Sequence, residues 1–166
     1  MTNKKTISIF VFSFIVPLVL AYIVLKLNLI PTNTVNQGEF LTEEIKLQHW
    51  SEIKPKAWSI GLVEGGECNT ACLNHREEVK NLYLALGKNQ GKVDLVLIGE
   101  QGTKDLKFKN YKYTAKHLKS NSLYLIDHMG LVVLAYPVVQ DIQTNRVTNK
   151  GLMKDLKKLL NYARNS

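Results

Sequence analysis

Trp58-Ser-Ile-Gly-Leu-Val-Glu-Gly-Gly-Glu-Cys-Asn-Thr-Ala-Cys72 is the stretch on which the reading of this chain turns. Trp58 to Val63 is a short apolar run and reads as a buried strand. Gly65 and Gly66 permit a tight turn that lifts the next residues to the surface. From Asn69 to Leu86 the apolar residues Cys72, Val79, Leu82, Tyr83 and Leu86 recur at helical spacing, and Gly87 stands where a helix stops. Cys68 and Cys72, the two cysteines among 166 residues, therefore fall where a strand ends and a helix begins. Backbone N–H groups and the helix dipole favour a thiolate there, the form that attacks disulfides and binds soft metals.

Outward from that junction the pattern continues. Val93 to Ile98 is a second apolar run ending at Gly99, so strand, helix and strand form a βαβ unit. Lys107 to Tyr113 alternates in part and reads as a short edge strand. Ser122–Asp127 and Leu131–Tyr136 flank Asp127-His-Met-Gly130 as a hairpin. Asn149 to Ala163 carries Leu152, Met153, Leu156, Leu159 and Leu160 on one helical face. The order βαβ then ββα predicts an α/β, thioredoxin-like fold, with Cys68 at the start of its first core helix.

Toward the N-terminus, residues 7–25 contain no charge. As a helix this segment covers about 28 Å, close to the ~30 Å hydrocarbon core of a bilayer. Lys4 and Lys5 precede it and put the N-terminus in the cytoplasm. A cleaved signal peptide has a shorter apolar region and a small-x-small site, which Tyr22-Ile-Val-Leu-Lys-Leu-Asn-Leu29 does not offer. The predicted layout is a cytoplasmic tail at 1–6, a transmembrane anchor at 7–25, a linker at 26–56 and the thioredoxin-like domain at 57–166. Beyond residue 26 lie all 14 acidic residues and 19 of the 22 basic ones. Lys104, Lys107, Lys109, Lys112, Lys116 and Lys119 cluster, as a solvated face or one drawn to anionic headgroups or an acidic partner. The topology places the domain away from nucleic acid.

A plain structural disulfide is the modest alternative for the cysteines. A loop of about 5 residues contributes only about 2 kcal/mol by chain entropy, against about 4.7 for a 100-residue loop. So short a bridge suits a switch or a ligand pair better than a staple. Among other side chains, His128 and Met129 read as turn residues about 17 Å from the cysteines, at the far end of their strand. His75, three residues after Cys72, shares its helical face. His49 reads as exposed, Trp58 as core, and Glu64 and Glu67 as loop or helix-start residues rather than acid catalysts.

Together with Asn36-Gln-Gly-Glu-Phe-Leu41, Leu84-Ala-Leu-Gly-Lys88, Leu123-Tyr-Leu-Ile-Asp127 and Gly151-Leu-Met-Lys-Asp-Leu-Lys-Lys-Leu-Leu160, this set resembles the Sco/SenC/PrrC-type proteins. These are membrane-anchored thioredoxin-like domains with Cys-x3-Cys, implicated in copper-centre assembly of cytochrome c oxidase. The chain is more closely similar to a shorter bacterial group associated with cytochrome c oxidase genes. The resemblance implies a membrane-anchored assembly factor in which Cys68 and Cys72 bind Cu(I) or exchange disulfides with a copper-site partner. Cys68 would be the more reactive thiol and Cys72 the resolving one. The family's histidine before the third core strand implies His117 as a third ligand, here seven residues ahead of Tyr124 rather than about five ahead of the family's aromatic. Implied partners are oxidase subunits or other copper-centre assembly factors, with membrane lipid around the anchor. The implied location is a bacterial inner membrane, single-pass, with the C-terminal domain periplasmic. Leu73 stands where Sco proteins usually carry proline, and no proline lies between Pro55 and Pro137, which counts against a general thiol-disulfide oxidoreductase. A non-catalytic interaction module with an inert disulfide remains the other alternative.

Overall fold

The computed structural model describes residues 2–26, 36–66, 68–112, 117–138 and 141–162. Glu67, Tyr113, Lys116 and Ala163, which figure in the sequence reading, lie outside the described residues, as do residues 27–35 of the predicted linker. The chain divides into two units, residues 1–35 and 36–166.

In the first unit, helix α1 (Thr2–Lys26) is apolar on all sides and holds Pro17 in its interior. Its segment Lys4–Val24, with mean hydropathy 2.7, is long and apolar enough to cross a membrane. A helix apolar all round has no water-facing side, and none of its apolar window is buried.

The second unit is a six-stranded sheet with two helices. Its strands are β1 (Glu39–Lys46), β2 (Trp58–Val63), β3 (Val93–Ile98), β4 (Phe108–Tyr111), β5 (Ser122–Asp127) and β6 (Leu131–Pro137). Their spatial order is β1-β6-β5-β2-β3-β4. β2, β3 and β4 run parallel, while β5 pairs antiparallel with β2 and with β6. Helix α2 (Thr70–Leu84) connects β2 to β3, and α3 (Ile142–Tyr162) follows β6. The inner four strands with α2 and α3 form the βαβ–ββα unit of a thioredoxin-like fold, extended by β4 on one edge and β1 on the other.

All six residues of β3 are buried. Such a strand needs cover on both faces of the sheet. One face carries Ile60, Leu62, Leu95, Leu97, Leu123 and Leu125 against Val79 of α2 and Leu152, Leu156 and Leu160 of α3. The other carries Val63, Val96, Ile98, Tyr124 and Ile126 against Leu47, Trp50 and Leu118.

That second cover corrects the predicted linker at 26–56. Its described part, from residue 36, is folded: β1 pairs with β6, and Trp50 opens a 3-10 turn, Trp50–Ile53. Trp50 is buried, packs edge-on to Tyr111, and donates from Nε1 to the Asp127 carbonyl at 3.1 Å. Gly130 (φ +85°) makes this possible, because a Cβ there would stand 2.7 Å from Trp50 Cβ. The segment escapes a periodicity reading because β1 is irregular. Phe40 pairs with Leu134 but Ile45 with Val132, so residues 41–44 bulge opposite one partner residue.

The entry to this unit is pinned from below. Asp155, buried on α3, accepts from Gln37 N at 2.6 Å, Gly38 N at 2.9 Å and the Tyr136 hydroxyl at 2.9 Å. Burial, then the bond to Asp155, pushes the Tyr136 hydroxyl well above its usual range, so it stays a donor. Gly38 and Gly151 allow the close crossing: a Cβ at Gly38 would stand 2.5 Å from the Tyr136 ring, and one at Gly151 2.7 Å from Gln37 Cβ. Helix α3 also begins earlier than the sequence pattern, at Ile142. Asp141 accepts from Thr144 N at 2.8 Å and caps the first turn, and Val147 in the second turn is exposed.

Candidate metal and redox site

The end of β2 builds the site. Val63 is the last strand residue, and Glu64 N still donates to the Ile98 carbonyl at 2.9 Å, so the Glu64 backbone is held as an extension of the sheet. Gly66 (φ +80°) then turns the chain. Asn69 is the N-cap of α2, its Oδ1 accepting from Cys72 N at 3.1 Å. Cys68 therefore lies one residue before the cap and Cys72 within the first turn.

Cys68 and Cys72 are joined as a disulfide, with Cα atoms 5.3 Å apart. Both are half-buried. Glu64 Oε1 lies 3.2 Å from Cys72 Sγ. With the ligand atoms of Cys68, Cys72 and Glu64 within 4.8 Å of one another, the three residues form a group that could hold a metal ion. In the bridged state the sulfurs carry no thiolate. Two-electron reduction, with uptake of two protons, is what turns them into ligands or nucleophiles.

Glu64 is not free to move. Arg76, one helical turn after Cys72, grips it with Nε to Oε1 at 2.6 Å and Nη2 to Oε2 at 2.6 Å. Arg76 Nη1 donates in turn to Thr103 Oγ1 at 3.0 Å. The Arg76 and Glu64 side chains are only 14% and 12% exposed. The bond to Glu64 pushes the Arg76 guanidinium above its usual value, so it stays charged. Neither Arg76 nor Thr103 stood out in the sequence. The Cys72/Arg76 spacing of four was a readable signal for Arg76, whereas Thr103 comes from the loop after β3 and has none.

The strand register places the remaining candidates. Ser122 pairs with Val63 and Asp127 with Trp58, so the loop before β5 is at the cysteine end and the Asp127–Gly130 turn at the opposite end. His128 and Met129 are exposed at that far end. His117 is at the cysteine end. Its side chain is exposed, lines a groove with Phe40, Lys119 and Tyr124, and does not belong to the Glu64–Cys68–Cys72 group. His75 is buried on α2, and its Nε2 has no hydrogen-bond partner among the described residues. Burial holds its pKa below the ordinary 6.5, against the opposing pull of Glu78 and Glu64. His49 is exposed and pairs with Glu52 at 3.2 Å. Of the clustered lysines, Lys109 is structural: its Nζ lies 2.7 Å from the buried Asp94 carboxylate.

No family model matches the chain, and no curated protein does. Among the solved structures that resemble it are Sco-family proteins. Apo Sco1 from Thermus thermophilus is 13% identical over 75% of this chain and 96% of its own, with a TM-score of 0.49. A SCO1/SenC family lipoprotein from Bacillus anthracis is 15% identical over 74% and 95%, with a TM-score of 0.47. Copper-bound ScoI from Arabidopsis thaliana is 14% identical over 66% and 89%, with a TM-score of 0.44. The thioredoxin-like assignment rests on the strand order and register described above.

Proposed function

We propose that this chain is a membrane-anchored assembly factor for a respiratory cytochrome c oxidase. Cys68 and Cys72 cycle between a disulfide and a dithiol, and the dithiol binds Cu(I) for delivery to a copper-site partner. One observation carries the reading: the two cysteines close a bridge at the mouth of α2, in a position where reduction gives two adjacent sulfurs. The oxidase and the copper come from the sequence resemblance. The residues fit Cu(I), whose preference is for soft thiolates with a histidine able to complete the set. Reduction by a dithiol partner transfers two electrons, the partner leaving as a disulfide. Binding Cu(I) then releases the two thiol protons. His117 is the third ligand in this reading, reached from the loop before β5. Helix α1 tethers the domain in a bacterial inner membrane with the N-terminus inside, so the site works on the outer side.

The same pair can reduce a partner's copper-binding cysteines without holding the metal. Cys68, outside the helix cap, then forms the mixed disulfide and Cys72 resolves it. Complementation of a deletion strain tests both forms. Wild-type protein restores the copper content and activity of the oxidase, and Cys68→Ser restores neither. A Cys68→Ser variant that restores both refutes the proposal and leaves an interaction module with an inert bridge.

A further inference from the structure

We propose that Arg76 sets the metal selectivity of the cysteine pair by keeping the Glu64 carboxylate out of the coordination sphere. This rests on the reading that the reduced pair binds Cu(I).

The donor atoms of Cys68, Cys72 and Glu64 lie within 4.8 Å of one another in the bridged state, and reduction turns the two sulfurs into thiolates beside the carboxylate, a donor set suited to a divalent, zinc-like ion. Cu(I) has no use for the carboxylate, being satisfied by sulfur and imidazole. A site for Cu(I) built beside Glu64 therefore needs that group disarmed. The Arg76 fork engages both carboxylate oxygens at 2.6 Å. Thr103 fixes the guanidinium through its remaining arm. A bidentate pair of this kind is short, planar and charge-assisted, and its low exposure shields it from water. Oε1, the oxygen nearest Cys72 Sγ, is the one Arg76 Nε holds.

Charge points the same way. With Glu64 neutralised, the reduced pair presents two negative charges and suits a monovalent soft ion. With Glu64 released, the site presents three and draws a divalent one. The clamp and the thiol it guards sit on the same face of α2, four residues apart, so the arrangement is set by one helix and one strand end.

The test uses the full-length chain in detergent, reduced with a phosphine. Co(II) chloride is titrated and read by thiolate-to-cobalt charge-transfer absorption. Cu(I) is titrated in parallel against a chromogenic chelator. Wild type binds Co(II) weakly. Arg76→Met binds it more tightly, by on the order of 10–100-fold, the size of effect that partners of metal ligands have on affinity. The double variant Arg76→Met with Glu64→Gln loses the gain, because the carboxylate is the added ligand. A folded Arg76→Met with wild-type Co(II) affinity overturns the proposal, as does a gain that survives in the double variant. If Arg76→Met fails to fold, Arg76→Lys decides: it keeps the charge but not the fork, and a smaller gain supports the clamp while none overturns it. Wild type that ignores Cu(I) while the Arg76 variant gains Co(II) through Glu64 sinks the copper reading and leaves the clamp standing.

Discussion

At the scale of single residues, the side chains that matter are polar groups held under the sheet ends. His75 is buried with its pKa depressed by desolvation. The unfolded chain takes up a proton near pH 6.5 while the folded one resists. Stability that is full above pH 7 is therefore lost as pH falls through 6.5 toward the lower folded value. Urea melts at pH 7.5 and 5.5 should show a drop that His75→Leu reduces, and an equal drop in the variant would contradict the assignment. Asp155 is the second case. Asp155→Ala leaves two backbone donors and the Tyr136 hydroxyl without their acceptor, at a cost of about 2–4 kcal/mol by chemical denaturation. The sequence disclosed little at this scale. Cys68 and Cys72 announced themselves, but Arg76 and Asp155 looked like ordinary charges on helix faces. Their partners, Glu64 and Gln37–Gly38, come from other elements, and only the fold brings them together.

At the scale of elements, regular ones were legible and irregular ones were not. β2 and the β5–β6 hairpin were readable because their apolar runs are bounded by glycine and polar turns. Helix α2 was readable from its apolar spacing, and Asn69 marks its start. Asn69→Ala removes the cap on Cys72 N and should destabilise the chain by about 1 kcal/mol. The same change frees that N–H at the mouth of the site, so the oxidised and reduced forms should be melted separately. β1 was missed because its bulge breaks alternation. The signal lay elsewhere, in the unbroken apolar run Leu95–Ile98, which demands cover on the face that α2 and α3 leave bare. Trp50 supplies much of that cover. Trp50→Ala should cost about 3–5 kcal/mol by the same denaturation assay, and a loss below about 1 kcal/mol would show the segment to be dispensable.

At the scale of the whole molecule, a helix apolar on every side precedes a unit with its own two-faced core. The proposal that α1 is a membrane anchor makes a direct prediction. The full chain sediments with membranes and resists an alkaline carbonate wash, while a chain lacking residues 1–26 is recovered soluble. Full-length protein released by the wash would contradict it. The central claim concerns the cysteines: their disulfide is one state of a cycle whose other state binds Cu(I). The measurement that meets it most directly is Cu(I) titration of the full chain against a competing chelator. It is run on oxidised and reduced protein, with Cys68→Ser, Cys72→Ser and His117→Ala beside them. The account predicts tight one-to-one binding by the reduced chain alone, lost in both cysteine variants and weakened in His117→Ala. Reduced wild type that binds Cu(I) no better than Cys68→Ser would contradict it.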